Sequence, residues 1–301
     1  GSEMCIRDRR KAGRRVVLKE VGIFADGVAV KQVGKKTFSM IKDLVDDVIL
    51  VSTDQICAAI KDTYEDTRAI CEPAGALSLA GMKKYIETEG RQGETYVAIN
   101  CGANMNFDRL RHVSERAELG EDREALLAVE IPERPGSFKR LCQLIGHRSI
   151  TEFNYRYSDA TVARVFAGVQ LAHGVDEKNK LIARLQGKGY RVVDMTGNEV
   201  AKLHTRYMIG GHPGSSVSNE HLYRFQFPEK PGALLDFLMK VGNRWNISLF
   251  HYRNHGSNFG RILMGFQVDR GDLRAFNVFL KSLKIPYWDE TDNEAYELFL
   301  R

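Results

Sequence analysis

The run Cys101-Gly-Ala-Asn-Met-Asn106 holds the residues best suited to chemistry in this chain, and it follows directly on the apolar segment 96–100. An apolar, β-rich segment that ends in such a turn predicts a buried strand with a loop at its carboxyl end. In parallel α/β sheets that is where ligands sit. The remaining cysteines (5, 57, 71 and 142) make no Cys-x-x-Cys pair, and the total of five is odd. Neither a disulfide framework nor a zinc knuckle is indicated, and a reducing cytoplasm is the expected setting. His251 and His255 have the i, i+4 spacing of helical zinc ligands but fall at the end of a predicted strand and its turn. On a strand that spacing need not converge two rings on one ion, so no metal site is expected.

The elements that must position these residues divide the chain. Over 15–118 the pattern predicts a β-rich run at 44–51, a helix over 54–69 capped by Asp54, and a tightly packed Ala/Gly/Leu helix over 72–85. A strand over 96–100 follows. Strands alternating with helices indicate an α/β sheet, yet these are too few to cover both of its faces, so the segment reads as part of a domain. Beyond it lies an internal repeat. Ile131-Pro-Glu-Arg-Pro-Gly-Ser-Phe138 returns as Phe227-Pro-Glu-Lys-Pro-Gly-Ala-Leu234, and Gly146-His-Arg148 returns as Gly242-Asn-Arg244. Phe153-Asn-Tyr-Arg156 returns as Phe250-His-Tyr-Arg253. Each copy predicts strand, Pro-Gly turn, helix, two strands, helix and short strand: the βαββαβ order of a ferredoxin-like α+β domain. A short helix or linker follows each copy, over 196–222 and 290–301.

Composition sets the outer limits. With 43% hydrophobic and 28% charged residues the chain can bury a substantial core. It has no uninterrupted apolar run of membrane-spanning length and no apolar signal sequence. The net charge is +5, but residues 1–15 carry six basic and two acidic side chains, so the rest is nearly neutral. Residues 1–14 read as a disordered leader, opening on a Gly1-Ser2 scar. Without interleaved aromatics or an attached nucleic-acid fold, the basic arm predicts no nucleic-acid partner.

Phe24-Ala-Asp-Gly-Val-Ala-Val-Lys31, Glu72-Pro-Ala-Gly-Ala76, Cys101-Gly-Ala-Asn-Met-Asn106 and Val113-Ser-Glu-Arg116, together with both repeat copies, resemble biosynthetic threonine ammonia-lyase in its long, regulated form. The resemblance runs from about residue 15 to the C-terminus. It implies a homotetrameric pyridoxal-phosphate enzyme that converts threonine to 2-oxobutanoate and ammonia on the way to isoleucine, with isoleucine and valine as effectors. The implied architecture is the C-terminal part of a fold-type II pyridoxal-phosphate domain over 15–118, then two ACT-like domains over 120–205 and 206–301. Cys101 matches the family's neutral partner of the pyridine nitrogen; a buried structural cysteine is the alternative. Glu72 matches a residue lining the cofactor side of the cleft, or is a helix-start carboxylate favoured by the dipole. Gly102 and Asn104 shape the turn between them.

The family's Ser-Phe-Lys-x-Arg-Gly motif, whose lysine carries the cofactor as a Schiff base, does not precede residue 101, and no poly-glycine phosphate loop is present. Ser137-Phe-Lys-Arg140 is a decoy: its counterpart in the second copy is Ala233-Leu-Leu-Asp236. No catalytic residue is therefore assigned, and the expectation is a C-terminal fragment inactive on its own. The other reading is a non-catalytic amino-acid-binding module that acts with another chain. In ACT-like domains effectors bind near the first strand–helix turn, where helix N-terminal amides receive a carboxylate. Pro135, Gly136, Ser137 and Phe138 form that turn in the first copy, and Gly232 and Leu234 in the second. Arg148 is a candidate partner for the carboxylate. Taken singly, Phe138 and Leu234 read equally well as core residues and Arg148 as a surface charge.

Overall fold

The computed structural model describes residues 13–18, 21–22, 24–89, 93–158, 160–208, 217–254 and 259–300. The expected leader lies outside these apart from Gly13 and Arg14, as does His255. The chain divides into two compact units after Asp122. The boundary expected at 118–120 falls in the last turn of a helix that ends at Gly120.

In the first unit the described regular elements are helices: α1 (Lys35–Leu44), α2 (Thr53–Thr67), α3 (Pro73–Glu89) and α4 (Phe107–Gly120), besides one short 3₁₀ turn at Asp26–Val28. Ser52, not Asp54, caps α2. Its hydroxyl accepts from Gln55 N–H at 3.2 Å while the Gln55 side chain accepts from Ser52 N–H at 2.9 Å, a full capping box. Asp54 instead pairs with Arg116 of α4. Small buried residues (Ala58, Ala59, Ala76, Ala80, Ala117) let α2, α3 and α4 approach closely around Ile56, Ile60 and Val113.

The strands predicted at 44–51 and 96–100 do not form, which corrects the sequence reading. A strand needs a neighbour to receive its backbone groups, and among the described residues of this unit no segment pairs with either. Val97 is 86% exposed and Ile99 78%, so the predicted buried segment is apolar but uncovered. Its local anchors are Ser78 Oγ, which donates to Ile99 O at 2.6 Å, and Asn100 Nδ2, which donates to Thr63 Oγ1 at 3.3 Å.

The second unit forms both repeats as predicted. The first comprises β1 (Glu124–Pro132), α5 (Ser137–Ile145), β2 (Ile150–Arg156), β3 (Val162–Gln170), α6 (Gly174–Gln186), β4 (Arg191–Asp194) and a short α7 (Glu199–Leu203). The second comprises β5 (Glu220–Pro228), α8 (Ala233–Val241), β6 (Asn246–Arg253), β7 (Phe259–Gln267), α9 (Leu273–Ser282), β8 (Tyr287–Asp289) and α10 (Glu294–Phe299). The two sheets fuse into one of eight strands, order β4-β1-β3-β2-β6-β7-β5-β8, through antiparallel pairing of β2 with β6 over Glu152–Arg156.

Alternation along the strands sends one set of side chains into a common core beneath α5 and α8. There Phe138, Phe153 and Phe250 meet across the seam. The appended helices α7 and α10 sit over the other face, each entered through the same pattern. In Asp194-Met-Thr-Gly-Asn198 and Asp289-Glu-Thr-Asp-Asn293, the threonine hydroxyl accepts from Leu126 or Leu222 N–H at 3.1 Å. The final Asn side chain caps the helix that follows. Among the described residues no helix is long and apolar enough to cross a membrane.

Candidate functional site

Two places in the molecule gather the residues singled out by sequence. In the first unit, Pro73 opens α3 at a position where its missing N–H costs nothing, and Glu72 stands immediately before it. Glu72 N–H donates to Gly102 O at 3.1 Å, and its carboxylate Oε2 accepts from Asn104 N–H at 3.1 Å. The turn that carries Cys101 is thus tied at two points to the start of a helix. Gly102 has φ +81°, and a Cβ there would lie within 2.5 Å of the Glu72 carboxylate. Only glycine meets both demands. At Gly75 a Cβ would fall 1.8 Å from Cys101 O, so the first turn of α3 rests directly on that backbone.

Beside this turn, Arg109 of α4 holds Asp26 through two hydrogen bonds, at 3.0 and 2.8 Å. The Arg109 guanidinium keeps the Asp26 carboxyl below its ordinary range. Cys101 itself is exposed, whereas Cys57 and Cys71 are buried. The structure therefore brings together Glu72, Cys101, Gly102 and Asn104. What they present is an accessible thiol on a turn tied to the start of α3, able to make one weak hydrogen bond. The Glu72 carboxylate is at a helix start, as its alternative reading held, but the N–H it accepts belongs to the Cys101 turn.

In the second unit the Pro-Gly turns lie at the seam between the repeats. Gly136 (φ +90°) and Gly232 (φ +81°) are the N-caps of α5 and α8. A Cβ on Gly136 would lie 2.9 Å from the Asn243 side chain; one on Gly232 would lie 3.2 Å from His147 Nδ1. Asn243 and His147 are equivalent residues of the two repeats, so each turn is closed by the other copy. Pro132, Arg134, Pro135, Gly136, Ser137, Arg140, Tyr190 and Asn243 line a cavity of about 300 Å³ at the first turn.

Phe138 and Leu234 do not line it. They are 4% and 3% exposed, and Phe138 packs on Phe153, Tyr155 and Phe250. The first helical turn of an amphipathic helix already points into the core, which is the physical reason. Arg148 stands past the far end of α5, about 13 Å along the helix from the turn. It donates to Glu177 Oε1 at 2.6 Å and to Ile145 O at 2.7 Å. It braces the helix end, away from the cavity. Arg134, Arg140, Tyr190 and Asn243 were not singled out from sequence. The repeat offset that equates Gly146-His-Arg148 with Gly242-Asn-Arg244 held the signal for Asn243.

Two ferredoxin-like repeats sharing one sheet, each closing the other's first turn, define the class: paired ACT-like regulatory domains behind a segment of another fold. Residues 115–205 and 213–300 match the family described as the C-terminal regulatory domain of threonine dehydratase, and the chain belongs to that family. Residues 2–102 match the family of pyridoxal-phosphate dependent enzymes. The chain is 52% identical over 297 residues to the L-threonine dehydratase biosynthetic IlvA of Pasteurella multocida (strain Pm70), covering 98% of itself and 58% of that protein. Identity to the Escherichia coli (strain K12) protein of the same name is also 52%, over 98% of this chain and 57% of that one. With the mitochondrial threonine dehydratase of Saccharomyces cerevisiae it shares 46% identity over 300 residues, 96% of this chain and 52% of that one. The chain thus spans little more than half the length of the curated relatives it matches.

Proposed function

We propose that this chain serves a threonine ammonia-lyase, with residues 123–301 as its amino-acid sensor and isoleucine or valine as the effector. The observation that carries this reading is the cavity at the first Pro-Gly turn, closed by Asn243 of the other repeat. A site completed by both repeats responds to any change in their packing, which is what an effector needs in order to shift a two-state arrangement. Helix N-terminal amides of α5, with Arg134 and Arg140, suit a carboxylate. Pro132 and Tyr190 offer the apolar surface that sequence reasoning had given to Phe138. The same reading carries the homotetramer and cytoplasmic setting that the resemblance implies.

The Cys101 turn fits one side of pyridoxal phosphate. In this reading Cys101 gives the pyridine nitrogen a neutral partner, while Glu72, Gly102 and Asn104 keep that partner in place. When bound, the cofactor supplies an electron sink for the carbon that loses its proton. The chain contains no Ser-Phe-Lys-x-Arg-Gly motif. Several of its lysines are engaged: Lys61 with Glu65, Glu118 and Glu121, Lys83 with Asp62, and Lys84 with Leu50 O. The 301-residue polypeptide by itself is expected to form no covalent cofactor adduct and to release no 2-oxobutanoate from threonine.

Calorimetry on the 301-residue chain tests the sensor. Isoleucine or valine should give saturable heat, and aspartate much less, because only the branched side chain gains apolar contact with Pro132 and Tyr190. Asn243→Ala should weaken binding about tenfold, the worth of one hydrogen bond in a closed site. Equal heats for isoleucine and aspartate, or none at millimolar isoleucine, would overturn the reading.

A further inference from the structure

In the first unit the run that carries Cys101 leads into α4, and a series of contacts then returns from α4 to the same run. Asn106, its last residue, caps the helix, its side chain accepting from Arg109 N–H at 2.9 Å. The Arg109 guanidinium grips both carboxylate oxygens of Asp26. Asp26 Oδ1 also accepts from Gly27 N–H at 3.0 Å. At Gly27 a Cβ would fall 2.9 Å from Glu72 Oε1 and equally close to the Ala74 Cβ, so this backbone lies directly against the carboxylate. Glu72 in turn holds the Cys101 turn at Gly102 O and Asn104 N–H. The contacts thus form a closed ring: turn, Arg109, Asp26, Gly27, Glu72 and back to the turn. The Phe24 ring, centred 5.3 Å from that of His112, is a second tie between this segment and α4.

Magnitude decides what the Arg109–Asp26 pair is for. Its side chains are 25% and 44% exposed, and a pair so open to water adds little to stability. A two-point grip between a planar guanidinium and a carboxylate fixes distance and direction together, which a single contact does not. We infer that Arg109 is a positioning residue: through Asp26 and Gly27 it keeps the Glu72 carboxylate against the Cys101 turn and so sets the direction of the thiol. The assignment rests on the reading of Cys101 as a partner of the cofactor ring, for which the direction of the thiol matters. Arg109 acts through the turn and is not itself a catalytic residue.

The 301-residue chain carries its own reporters. Cys101 is exposed, whereas Cys57 and Cys71 are buried in the same unit, so alkylation by iodoacetamide, resolved by mass spectrometry, reads the turn and the core separately. Arg109→Met should raise the rate at Cys101 about threefold, the scale set by a partly exposed ion pair. Asp26→Asn keeps an acceptor for Gly27 N–H but loses the charge, and should do the same. The two changes together should do no more than either alone, because they break one contact. Arg109→Lys, charged but without the planar fork, should show a smaller rise. Faster labelling of Cys57 and Cys71 with Cys101 unchanged, the mark of a pair that only stabilises the fold, would overturn the inference. So would unchanged rates at all three cysteines in folded Arg109→Met and Asp26→Asn protein. No readout involves cofactor or effector, so an unresponsive turn sinks the positioning role alone, and the functional reading is judged by its own calorimetry.

Discussion

In the second repeat Glu220 accepts from the Ser248 hydroxyl, from Tyr296 and from both terminal nitrogens of Arg156. In the first, its counterpart Glu124 accepts from the Thr151 hydroxyl at 2.5 Å and from Arg206 at 3.3 Å. The underlying device is the same. Thr151 and Ser248 each sit at a shift in strand register, and each faces a glycine, Gly168 or Gly265. A Cβ on either glycine would strike the hydroxyl, so bulge, glycine and carboxylate form one unit in each copy. The cations that complete the unit come from different places. Arg156 belongs to the first repeat and crosses the β2–β6 seam to Glu220, donating also to Leu300 O. Arg253 crosses in the opposite sense but stops 3.8 Å from Glu152, its guanidinium over the Tyr207 ring at 4.5 Å. Duplication supplied a symmetric frame, and charge placement made its two halves unequal.

That inequality is open to a direct break. The Arg156 side chain is 2% exposed and Glu220 6%, so removing the cation leaves a carboxylate buried without its partner. Arg156→Met should cost about 3–5 kcal/mol in urea denaturation, the range for breaking a buried ion pair. Arg253→Met should cost clearly less, since Glu152 keeps Arg206 at 2.5 Å. Adding Glu220→Gln to Arg156→Met should restore part of the loss. Equal costs for the two arginine variants would erase the distinction drawn between the repeats.

The Pro-Gly turns sharpen the comparison at a smaller scale. Both N-cap glycines adopt a left-handed conformation that an L side chain disfavours by about 1–2 kcal/mol. Gly136→Ala adds a contact at 2.9 Å with Asn243, whereas Gly232→Ala meets His147 at an easier 3.2 Å. Gly136→Ala should therefore be the more destabilising of the pair, by about 1 kcal/mol, and should also weaken isoleucine binding. Larger damage from Gly232→Ala would place the tighter seam contact in the wrong repeat.

The sequence offset of 96–97 residues made every β-strand and long helix of the second unit legible, because apolar periodicity and the Pro-Gly turns recur in phase. The inter-repeat arginines were not legible. Nothing in the residue pattern marks Arg156 as buried, and its partner Glu220 belongs to the other repeat, reached only across the β2–β6 seam. The seam cavity was half legible: its turn was visible, while Asn243 enters from across the fold. Side-chain direction was the missing element for Phe138 and Leu234, since a helix-start residue can face a turn or a core. In the first unit the Cys101 run stood out by residue type, but the strand expected before it was not realised. Its alternation Tyr96-Val-Ala-Ile-Asn100 has no partner strand among the described residues.

The smallest expected difference concerns the helix-end brackets, and it also separates the two roles considered for Arg148. Arg148 meets Glu177 at 2.6 Å with side chains 26% and 12% exposed; its repeat counterpart Arg244 meets Asp272 at 3.4 Å with 58% and 53% exposed. Burial pulls the Glu177 carboxyl upward, but the N–H groups of His173 and Ala172, together with Arg148, outweigh it and hold the group below its ordinary range. A carboxyl depressed in the folded state adds stability at pH above its unfolded value, and that stability fades as pH falls through the folded one. Arg148→Ala should therefore cost about 1 kcal/mol at pH 7 and progressively less below about pH 4.5. Arg244→Ala should cost at most about 0.5 kcal/mol at any pH, as exposed pairs do. Isoleucine binding should be nearly unchanged in both variants. A Arg148→Ala chain that keeps its stability but loses the effector would return this residue to the binding site.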